Sequence, residues 1–498
     1  MSDPALVGEI LPGVVADLAH AARLTPAQLT AWLAEAERTG GCRQPVHVVG
    51  ERVTVHAATG EVLHRYSTDD EPLGRLAMRC GTRRETRCPP CSRTYKADAF
   101  HIILSGLAGG KDIPATVGEH PRVFATFTAP SFGPVHSRVV NNDAVQRCYP
   151  RGKIGGPSCI ARHSETDPLL GQPIDPVSYD YTGAVLWNAH AAQLWCRFTI
   201  ELRRSLARLV GIPQRKLSEH LRVTCAKAAE YQRRGLVHFH AVLRLDGPAP
   251  ADLTPPPAWA TVQLLGEAIR DAARRVVVMT PATVAADAME VRWGEQMDIR
   301  PIAAFGAGEQ LTDLAVAAYI AKYATKAAEA AGTIDHPLWC RVCKGAGIHE
   351  IPERPQGLRC RPCNGTGLRE PSQSLDLAEI TEHARQMIRT CWQLAKHPEL
   401  EARNLRRWAH MLGFGGHFLT KSRLYSTTFA ELRDERAQHA RAIAVAVDSV
   451  PEPDGETVAV INHWRYVGTG PLVVPALVIS PETGGPTQSE SSKEVDTS

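Results

Sequence analysis

The strongest constraint on the fold is a repeated cysteine pattern in the second half of the chain. The unit Cys-x-x-Cys-x-Gly-x-Gly occurs twice, first at Cys340 and Cys343 and again at Cys360 and Cys363. Four thiolates at this spacing are typical of a tetrahedral zinc site, and the glycines let the backbone turn its amides toward the sulfur atoms. The sequence therefore predicts one structural Zn²⁺, because four cysteines leave no open coordination position. A redox-active cysteine pair is the alternative, but two tandem pairs favour metal.

A second group of cysteines lies in a basic stretch nearer the N-terminus. Cys88 and Cys91 form a Cys-x-x-Cys pair, and Cys42 and Cys80 are available to complete a set of four thiolates for Zn²⁺. One acidic residue stands between Gly74 and Ala97 beside seven basic ones, which are Arg75, Arg79, Arg83, Arg84, Arg87, Arg93 and Lys96. A zinc knuckle among basic residues suits contact with DNA phosphates. The alternatives are buried or free thiols and an ordinary solvated surface.

Composition excludes several classes of protein. Of the 498 residues 44% are apolar, and none of the apolar runs is long enough to span a membrane. The start Met1-Ser-Asp-Pro lacks the basic and apolar segments of a secretory signal, so we expect the reducing cytoplasm and no disulfide framework among the thirteen cysteines. The net charge is only +3. The basic residues are nevertheless clustered, and clusters matter more than totals for nucleic-acid binding.

Two histidines flank one aromatic residue in an apolar run. The run Val237-His238-Phe239-His240-Ala241 has the composition of a buried strand. Alternate residues of a strand point to the same face, so His238 and His240 project side by side while Phe239 faces the opposite way. Two neighbouring imidazoles can bind one divalent cation. Two ordinary histidines on a half-buried strand are the alternative.

A tyrosine-rich helix follows about 80 residues later. The segment 311–331 is rich in alanine and is predicted to be helical. Tyr319 and Tyr323 are four residues apart and share a helix face, and each is followed after three residues by a lysine, Lys322 or Lys326. Nearby cations favour a phenolate and stabilise charge on an attacked phosphate. The alternative is a buried aromatic stripe with solvated lysines.

This pair of motifs resembles the HUH endonuclease superfamily, and within it the two-tyrosine rolling-circle replication initiators of actinomycete plasmids and integrative elements. The resemblance extends over most of the chain, from about residue 42 to about residue 466, and includes 124–136, Tyr179-Asp-Tyr181 and 408–418. The order of the motifs is informative. The tyrosines follow the histidines here, as in replication initiators, whereas they precede the histidines in conjugative relaxases.

The resemblance implies a nickase that cleaves and rejoins one DNA strand at an origin, bound first as duplex and then as single strand. Mg²⁺ or Mn²⁺ on the histidines polarises the scissile phosphate, and a tyrosine forms a covalent bond to the 5′ phosphate. The freed 3′-OH primes the host polymerase, with a host helicase as a further partner. Lys322 and Lys326 position DNA or stabilise charge. Which of Tyr319 and Tyr323 acts first stays open.

An acidic or amide residue just upstream is the usual third metal ligand in related sites. Glu230 and Gln232 both meet this description and lie on one face of the preceding strand. We favour Glu230, because a charged oxygen better offsets a hard cation. Two rival functions use the same features: a two-tyrosine transposase, and a non-catalytic zinc-ribbon DNA-binding regulator whose tyrosines belong to the core.

The expected fold is α+β, an HUH-type antiparallel sheet with helices on one face, with zinc-knuckle insertions and a helical C-terminal region. Residues 182–211 are predicted to form a long amphipathic helix. The predicted segments are 1–41 (helical), 42–110 (cysteine-rich and basic), 120–335 (endonuclease, with a loop insertion at about 140–180), 336–370 (zinc knuckles), 371–470 (helical and basic) and 479–498 (disordered tail).

Three further features leave alternatives open. Cys148, Cys159 and His163 lie among Gly and Pro, but the pair of cysteines that relatives tend to carry just before Tyr179 is absent, so a third metal site stays open. Ser131 and His136 follow the strand 122–128 and either contact DNA or form a turn. Residues 402–430 contain basic residues interleaved with aromatics, a composition that suits either binding of single-stranded DNA or a packed helix with a solvated face. The aromatics are Trp408, Phe414, Phe418 and Tyr425.

Overall fold

The computed structural model of the chain describes most of its length. The described residues are 26–71, 73–150, 156–249, 253–284, 286–302, 312–326, 328–334, 336–351, 354–369, 380–448 and 458–470. Two predictions lie outside them: the helical segment before Pro26 and the disordered tail 479–498.

The helices of the described residues begin where the sequence supplies an N-cap or a proline. They are α1 (Pro26–Arg38), α2 (Pro89–Ala108), α3 (Tyr181–Leu209), α4 (Val262–Arg275), α5 (Asp313–Ala324), α6 (Glu382–Leu394) and α7 (Phe429–Asp448). The Asp180 carboxylate accepts from the Gly183 amide at 2.8 Å, and threonine side chains cap α4, α5 and α6 in the same way. The predicted long helix 182–211 is confirmed as α3.

The strands form the sheets of the protein, and one of them contains His238 and His240. They are β1 (Val46–His56), β2 (Val62–Ser67), β3 (Leu76–Met78), β4 (Arg122–Phe127), β5 (Val140–Asn141), β6 (Ala144–Val145), β7 (Arg222–Tyr231), β8 (Val237–Asp246), β9 (Val278–Met279), β10 (Glu290–Val291), β11 (Met297–Pro301), β12 (Ile348–Ile351), β13 (Arg354–Arg359), β14 (Leu419–Lys421) and β15 (Val458–Thr469). All the pairings recorded between them are antiparallel, so the predicted α+β class with an antiparallel sheet is confirmed.

The described residues form two compact units, one of residues 26–80 together with 458–470 and one of residues 81–448. In the first unit β1 pairs with β15 along its whole length, from Val46 opposite Thr469 to His56 opposite Val458. β2 and β3 also pair with β1. The C-terminal region expected to be helical therefore ends in a strand, because 458–467 is rich in β-branched and aromatic residues that favour a sheet.

The second unit is built on a sheet with the strand order β11-β4-β8-β7-β14. The central strand β8 is buried along nearly its whole length, so both of its faces are covered. Phe239 and Leu243 pack on one face with apolar residues of α3 and α4. Val242 packs on the other face with residues of α2 and α5. The helices thus cover both faces of this sheet, and the expectation of one covered face is wrong.

Among the described residues no helix is both long enough and apolar enough to cross a lipid bilayer.

Candidate metal and nucleophile site

The β7–β8 hairpin brings three ligand-type side chains together. Its register places Glu230 opposite His238 and Ala228 opposite His240. The turn closes where Gly235 donates its amide to the Gln232 oxygen at 2.9 Å with a φ of 74°, a conformation that favours glycine. Opposed residues of an antiparallel pair share a face, so the Glu230 carboxylate lies beside both imidazoles.

The distances in this group are short and the side chains are largely buried. Oε2 of Glu230 lies 3.1 Å from Nε2 of His238 and 3.0 Å from Nε2 of His240. The Thr126 hydroxyl lies 3.1 Å from Nδ1 of His240 and so orients the ring from the neighbouring strand β4. The alternative ligand Gln232 lies beyond the end of β7, where its side-chain oxygen accepts from Arg234 at 2.8 Å.

The protonation states of the group suit metal binding. Burial alone would raise the pKa of Glu230, but hydrogen bonds with His238 and His240 lower it to about 2. Burial lowers the pKa of His240, and Glu230 only partly opposes this effect. An ionised Glu230 carboxylate beside a neutral His240 imidazole is the form in which these two side chains ligate a cation.

The separations also fit a small divalent cation. Octahedral Mg²⁺ has ligand distances of about 2.0–2.1 Å, which place neighbouring ligand atoms about 2.9 Å apart. The two separations from Glu230 Oε2, 3.1 and 3.0 Å, are close to this value. Neutral imidazoles that donate from Nε2 to the carboxylate give similar lengths, and the three ligand atoms lie within 4.8 Å of one another. Glu230, His238 and His240 can therefore hold one metal ion.

Both tyrosines of α5 lie against this group. The His240 ring centroid is 5.0 Å from that of Tyr319 and 5.5 Å from that of Tyr323, and the two phenol rings are 4.5 Å apart. Phe124 packs edge-on against Tyr319 at 5.6 Å. Tyr319 as a residue remains 39% exposed. Burial and the hydrogen bond with Tyr323 raise the pKa of Tyr319, which keeps this phenol protonated at neutral pH.

Positive charge lies on the same side of the site. Nζ of Lys326 is 3.8 Å from Oε1 of Glu230 and 4.5 Å from the centre of the Tyr323 ring, and Nζ of Lys322 is 5.7 Å from that ring. Arg83 donates to the backbone oxygen of Ala324 at 3.3 Å and to that of Lys326. These bonds hold the end of α5, and with it the two lysines, beside the metal-ligand group.

We call the five residues Glu230, His238, His240, Tyr319 and Tyr323 the histidine–tyrosine site.

The repeated cysteine motif forms a separate buried group, which we call the four-cysteine cluster. The sulfur atoms of Cys340 and Cys360 are 4.0 Å apart, and those of Cys343 and Cys363 are 3.6 Å apart. Four sulfur atoms around Zn²⁺ at about 2.3 Å are about 3.8 Å from one another. The cluster consists of Cys340, Cys343, Cys360 and Cys363, and it can hold a metal such as zinc.

The glycines of the repeat explain how the two halves of the four-cysteine cluster meet. Gly347 donates its amide to the sulfur of Cys343 at 3.3 Å, and Gly367 does the same to Cys363. Gly347 has a φ of 78°, and a Cβ there would lie 2.4 Å from the Gly365 backbone oxygen. Only glycine permits this backbone conformation and this close approach.

The other predicted zinc ligands lie in different units. Within the first unit the Cys42 sulfur accepts from the Cys80 amide at 3.3 Å. In the second unit Cys88 precedes α2, and Cys91 is buried in its first turn. Zinc binding by these four cysteines stays a prediction.

The structure also decides between alternatives for other sequence features. Phe414, Phe418 and Tyr425 are buried in the core, and the Tyr425 hydroxyl donates to the Ile103 oxygen at 3.1 Å. Buried rings cannot stack on DNA bases, so these three aromatics are core residues, although they lie outside the helices and not in the packed helix that was the alternative. His136, expected to contact DNA or form a turn, lies instead beside Cys148, Cys159 and His163. The sequence signal for a metal site was the grouping of Cys148, Cys159 and His163. His136 was not assigned to that group, because residues 137–147 separate it from Cys148.

Comparison with known proteins identifies the family. A family model described as "RepSA: Replication initiator protein, pSAM2" matches residues 28–475. A replication initiator protein of Streptomyces ambofaciens is 44% identical over 472 residues, which cover 94% of this chain and 90% of that protein. The chain therefore belongs to this family of replication initiator proteins. No solved structure matches it.

Proposed function

We propose that this replication initiator nicks and rejoins one strand of its origin through a 5′-phosphotyrosine intermediate, as a two-tyrosine member of the HUH endonuclease superfamily. The observation that carries the proposal is the contact of Tyr319 and Tyr323 with the ring of His240, itself 3.0 Å from Glu230. A nucleophile beside a metal-ligand group is the arrangement that phosphoryl transfer requires.

Glu230, His238 and His240 would hold the catalytic cation. Mg²⁺ or Mn²⁺ bound there would polarise the scissile phosphate and offset the charge that develops on it. The Thr126 hydroxyl, 3.1 Å from Nδ1 of His240, orients that imidazole so that Nε2 faces the position of the cation. Glu230 supplies the negative charge that two neutral imidazoles lack.

The tyrosine oxygen attacks phosphorus and forms the phosphotyrosine bond while the bond from phosphorus to the 3′ oxygen breaks. The DNA keeps its 5′ phosphate on the protein, and the freed 3′-OH serves the host polymerase as primer. Burial raises the pKa of Tyr319, so the phenol loses its proton during the attack, and the leaving 3′ oxygen gains one to become the 3′-OH. Lys326, 4.5 Å from the Tyr323 ring, and Lys322 lower the cost of negative charge on the reacting oxygens.

The second tyrosine has a use after one round of synthesis. Because the two rings are 4.5 Å apart, the free tyrosine can attack the regenerated junction while the first remains covalently bound to DNA. That attack would release a circular single strand.

The origin would be bound as duplex DNA, and its nick site would be extruded as single strand. This would take place in the cytoplasm, with a host helicase as partner. The four-cysteine cluster would bind structural Zn²⁺.

A trapping experiment tests this proposal against a regulator without catalysis. Single-stranded oligonucleotides covering both strands of the element that carries the gene are incubated with protein and Mg²⁺, and covalent adducts are separated under denaturing conditions. The wild type is expected to form an adduct, and the double variant Tyr319→Phe/Tyr323→Phe is expected to form none while still binding duplex origin DNA. Phenylalanine keeps the ring and its packing but removes the nucleophilic oxygen.

Tyr466→Phe is the matched control, since Tyr466 is 62% exposed on β15 in the other unit. Each single variant sharpens the assignment: at least one should retain nicking, whereas both should fail to maintain the plasmid. An adduct that survives in the double variant and maps to another residue would overturn the choice of nucleophile. Origin nicking that primes synthesis, without insertion of DNA, separates an initiator from a transposase.

A further inference from the structure

The insertion between β4 and α3 contains a group of sulfur and nitrogen atoms that the nicking reaction does not use. Cys148 and Cys159 are brought together by short antiparallel pairing, in which Tyr149 and Cys159 exchange backbone hydrogen bonds of 2.7 and 2.8 Å. His136 is held from the other side by its hydrogen bonds with Gly171 and Gln172, each 2.8 Å long.

The four side chains converge on one point. Nδ1 of His136 lies 3.1 Å from Nε2 of His163, and the sulfur of Cys148 lies 3.9 Å from the same His136 nitrogen. The sulfur of Cys159 lies 3.6 Å from Nε2 of His163. All four ligand atoms are within 4.8 Å of one another. We call His136, Cys148, Cys159 and His163 the loop cluster.

These separations are those of a tetrahedral zinc site. Zinc lies about 2.0–2.1 Å from nitrogen and about 2.3 Å from sulfur, so two nitrogens are about 3.3 Å apart and a nitrogen and a sulfur about 3.6 Å apart. The loop cluster has 3.1 Å for the nitrogen pair and 3.9 and 3.6 Å for the mixed pairs. We infer that the loop cluster binds a Zn²⁺ ion through two thiolates and two imidazoles.

Hydrogen bonds around the loop cluster support this inference. Nδ1 of His163 lies 2.7 Å from the Asp167 carboxylate. A carboxylate at this position places the ring proton on Nδ1 and directs the lone pair of Nε2 into the cluster, as around most zinc-bound histidines. The Ser137 amide donates to the sulfur of Cys148 at 3.2 Å, which stabilises a thiolate there.

The insertion that carries the loop cluster also packs against the hairpin of the histidine–tyrosine site. Arg233, in the β7–β8 turn, donates to the Glu165 oxygen at 3.0 Å. Gly171 approaches the same turn so closely that a Cβ would lie 2.4 Å from the Arg233 carbonyl carbon. The insertion and the turn line an open pocket of about 330 Å³, whose walls include Arg138, Arg233 and Arg234. The zinc site itself does not depend on the proposed nicking activity.

Zinc content tests the inference directly. Full-length wild type, Cys159→Ser and the control Cys196→Ser are purified identically and their zinc is measured by elemental analysis. Cys196 is exposed on α3 and belongs to none of the metal-ligand groups of the described residues. We expect Cys159→Ser to hold one zinc per chain less than both other proteins. Equal zinc in all three proteins would overturn the inference.

Two further measurements keep the test decisive if Cys159→Ser folds poorly. His136→Cys replaces one zinc ligand by another and is expected to keep the wild-type zinc content, whereas His136→Ala should lose one zinc. In the wild type, a chelator should make Cys148 and Cys159 reactive toward an alkylating reagent together, as read by peptide mass spectrometry. Equal alkylation with and without chelator, or a disulfide between these two cysteines, would contradict the site.

Discussion

The four-cysteine cluster and the histidine–tyrosine site are assembled in opposite ways. All the ligands of the first come from one short stretch, 340–363, in which each Cys-x-x-Cys pair carries its own glycines. The second takes Glu230 and the histidines from a hairpin and the tyrosines from α5, while Arg83 holds the end of that helix. A local motif can encode the first geometry, but only packing between distant segments makes the second.

The two regions also differ in exposure. The cysteines of the four-cysteine cluster are at most 6% exposed, which suits an ion that holds the backbone together. Tyr319 is 39% exposed and Lys326 lies at the edge of the site with a 41% exposed side chain. On the proposed function, the histidine–tyrosine site must admit DNA and so has to remain open, whereas a structural zinc site can be closed.

The largest expected effect separates catalysis from folding. His238→Ala removes one ligand, and nicking should fall by more than the roughly 10–100-fold typical of outer-shell partners. Zinc content and duplex origin binding should stay at wild-type values, because the four-cysteine cluster is built from a different part of the chain. Adduct formation with added Mg²⁺ or Mn²⁺, and its loss on adding EDTA, measure this. Full nicking after exhaustive dialysis against EDTA would rule out the metal-dependent mechanism.

The opposite pattern is expected for Cys360→Ser. Loss of one thiolate should release one zinc and lower the free energy of unfolding by about 4 kcal/mol. Folded protein should nick at nearly the wild-type rate, since none of the residues 340–363 belongs to the histidine–tyrosine site. Chemical denaturation and elemental analysis check the two parts. Unchanged zinc content in this variant would show that the cluster binds no ion.

The smallest effect tests how the hairpin is buried. Lys227 lies on β7, donates to the His417 oxygen at 3.0 Å and is 4.2 Å from the centre of the Phe239 ring. Burial lowers its pKa to about 7 from the ordinary 10.5. Between these two pH values the unfolded chain binds more protons, so the free energy of unfolding should rise with pH in that window.

Lys227→Met should make this rise shallower, because methionine fills similar space without a charge. Denaturant titrations of wild type and variant at pH 6, 8 and 10 measure the difference in slope. Parallel curves for the two proteins would mean that Lys227 keeps its charge in the folded state. The region of the four-cysteine cluster should contribute nothing to this difference.

The sequence by itself determined the features that depend on short spacing. The Cys-x-x-Cys-x-Gly-x-Gly repeat was sufficient to identify the four cysteines that meet, and the two-residue period of a strand placed His238 beside His240. The four-residue spacing of Tyr319 and Tyr323 predicted one helix face, and their rings are 4.5 Å apart. The boundaries of α3 were also close, since a long amphipathic stretch has a clear period.

Only the tertiary structure decided which residues from distant segments meet. Glu230 rather than Gln232 lies against the histidines because the register of β7 and β8 ends before Gln232. Phe418 and Tyr425 are core residues because β14 joins the sheet edge beside β7 and buries the segment around it. His136 lies beside His163, 27 residues away, where its backbone pairs with that of Gly171 and Gln172. Spacing along a chain specifies which side chains share a face, but the partner that covers that face is set by strand register and packing over long distances.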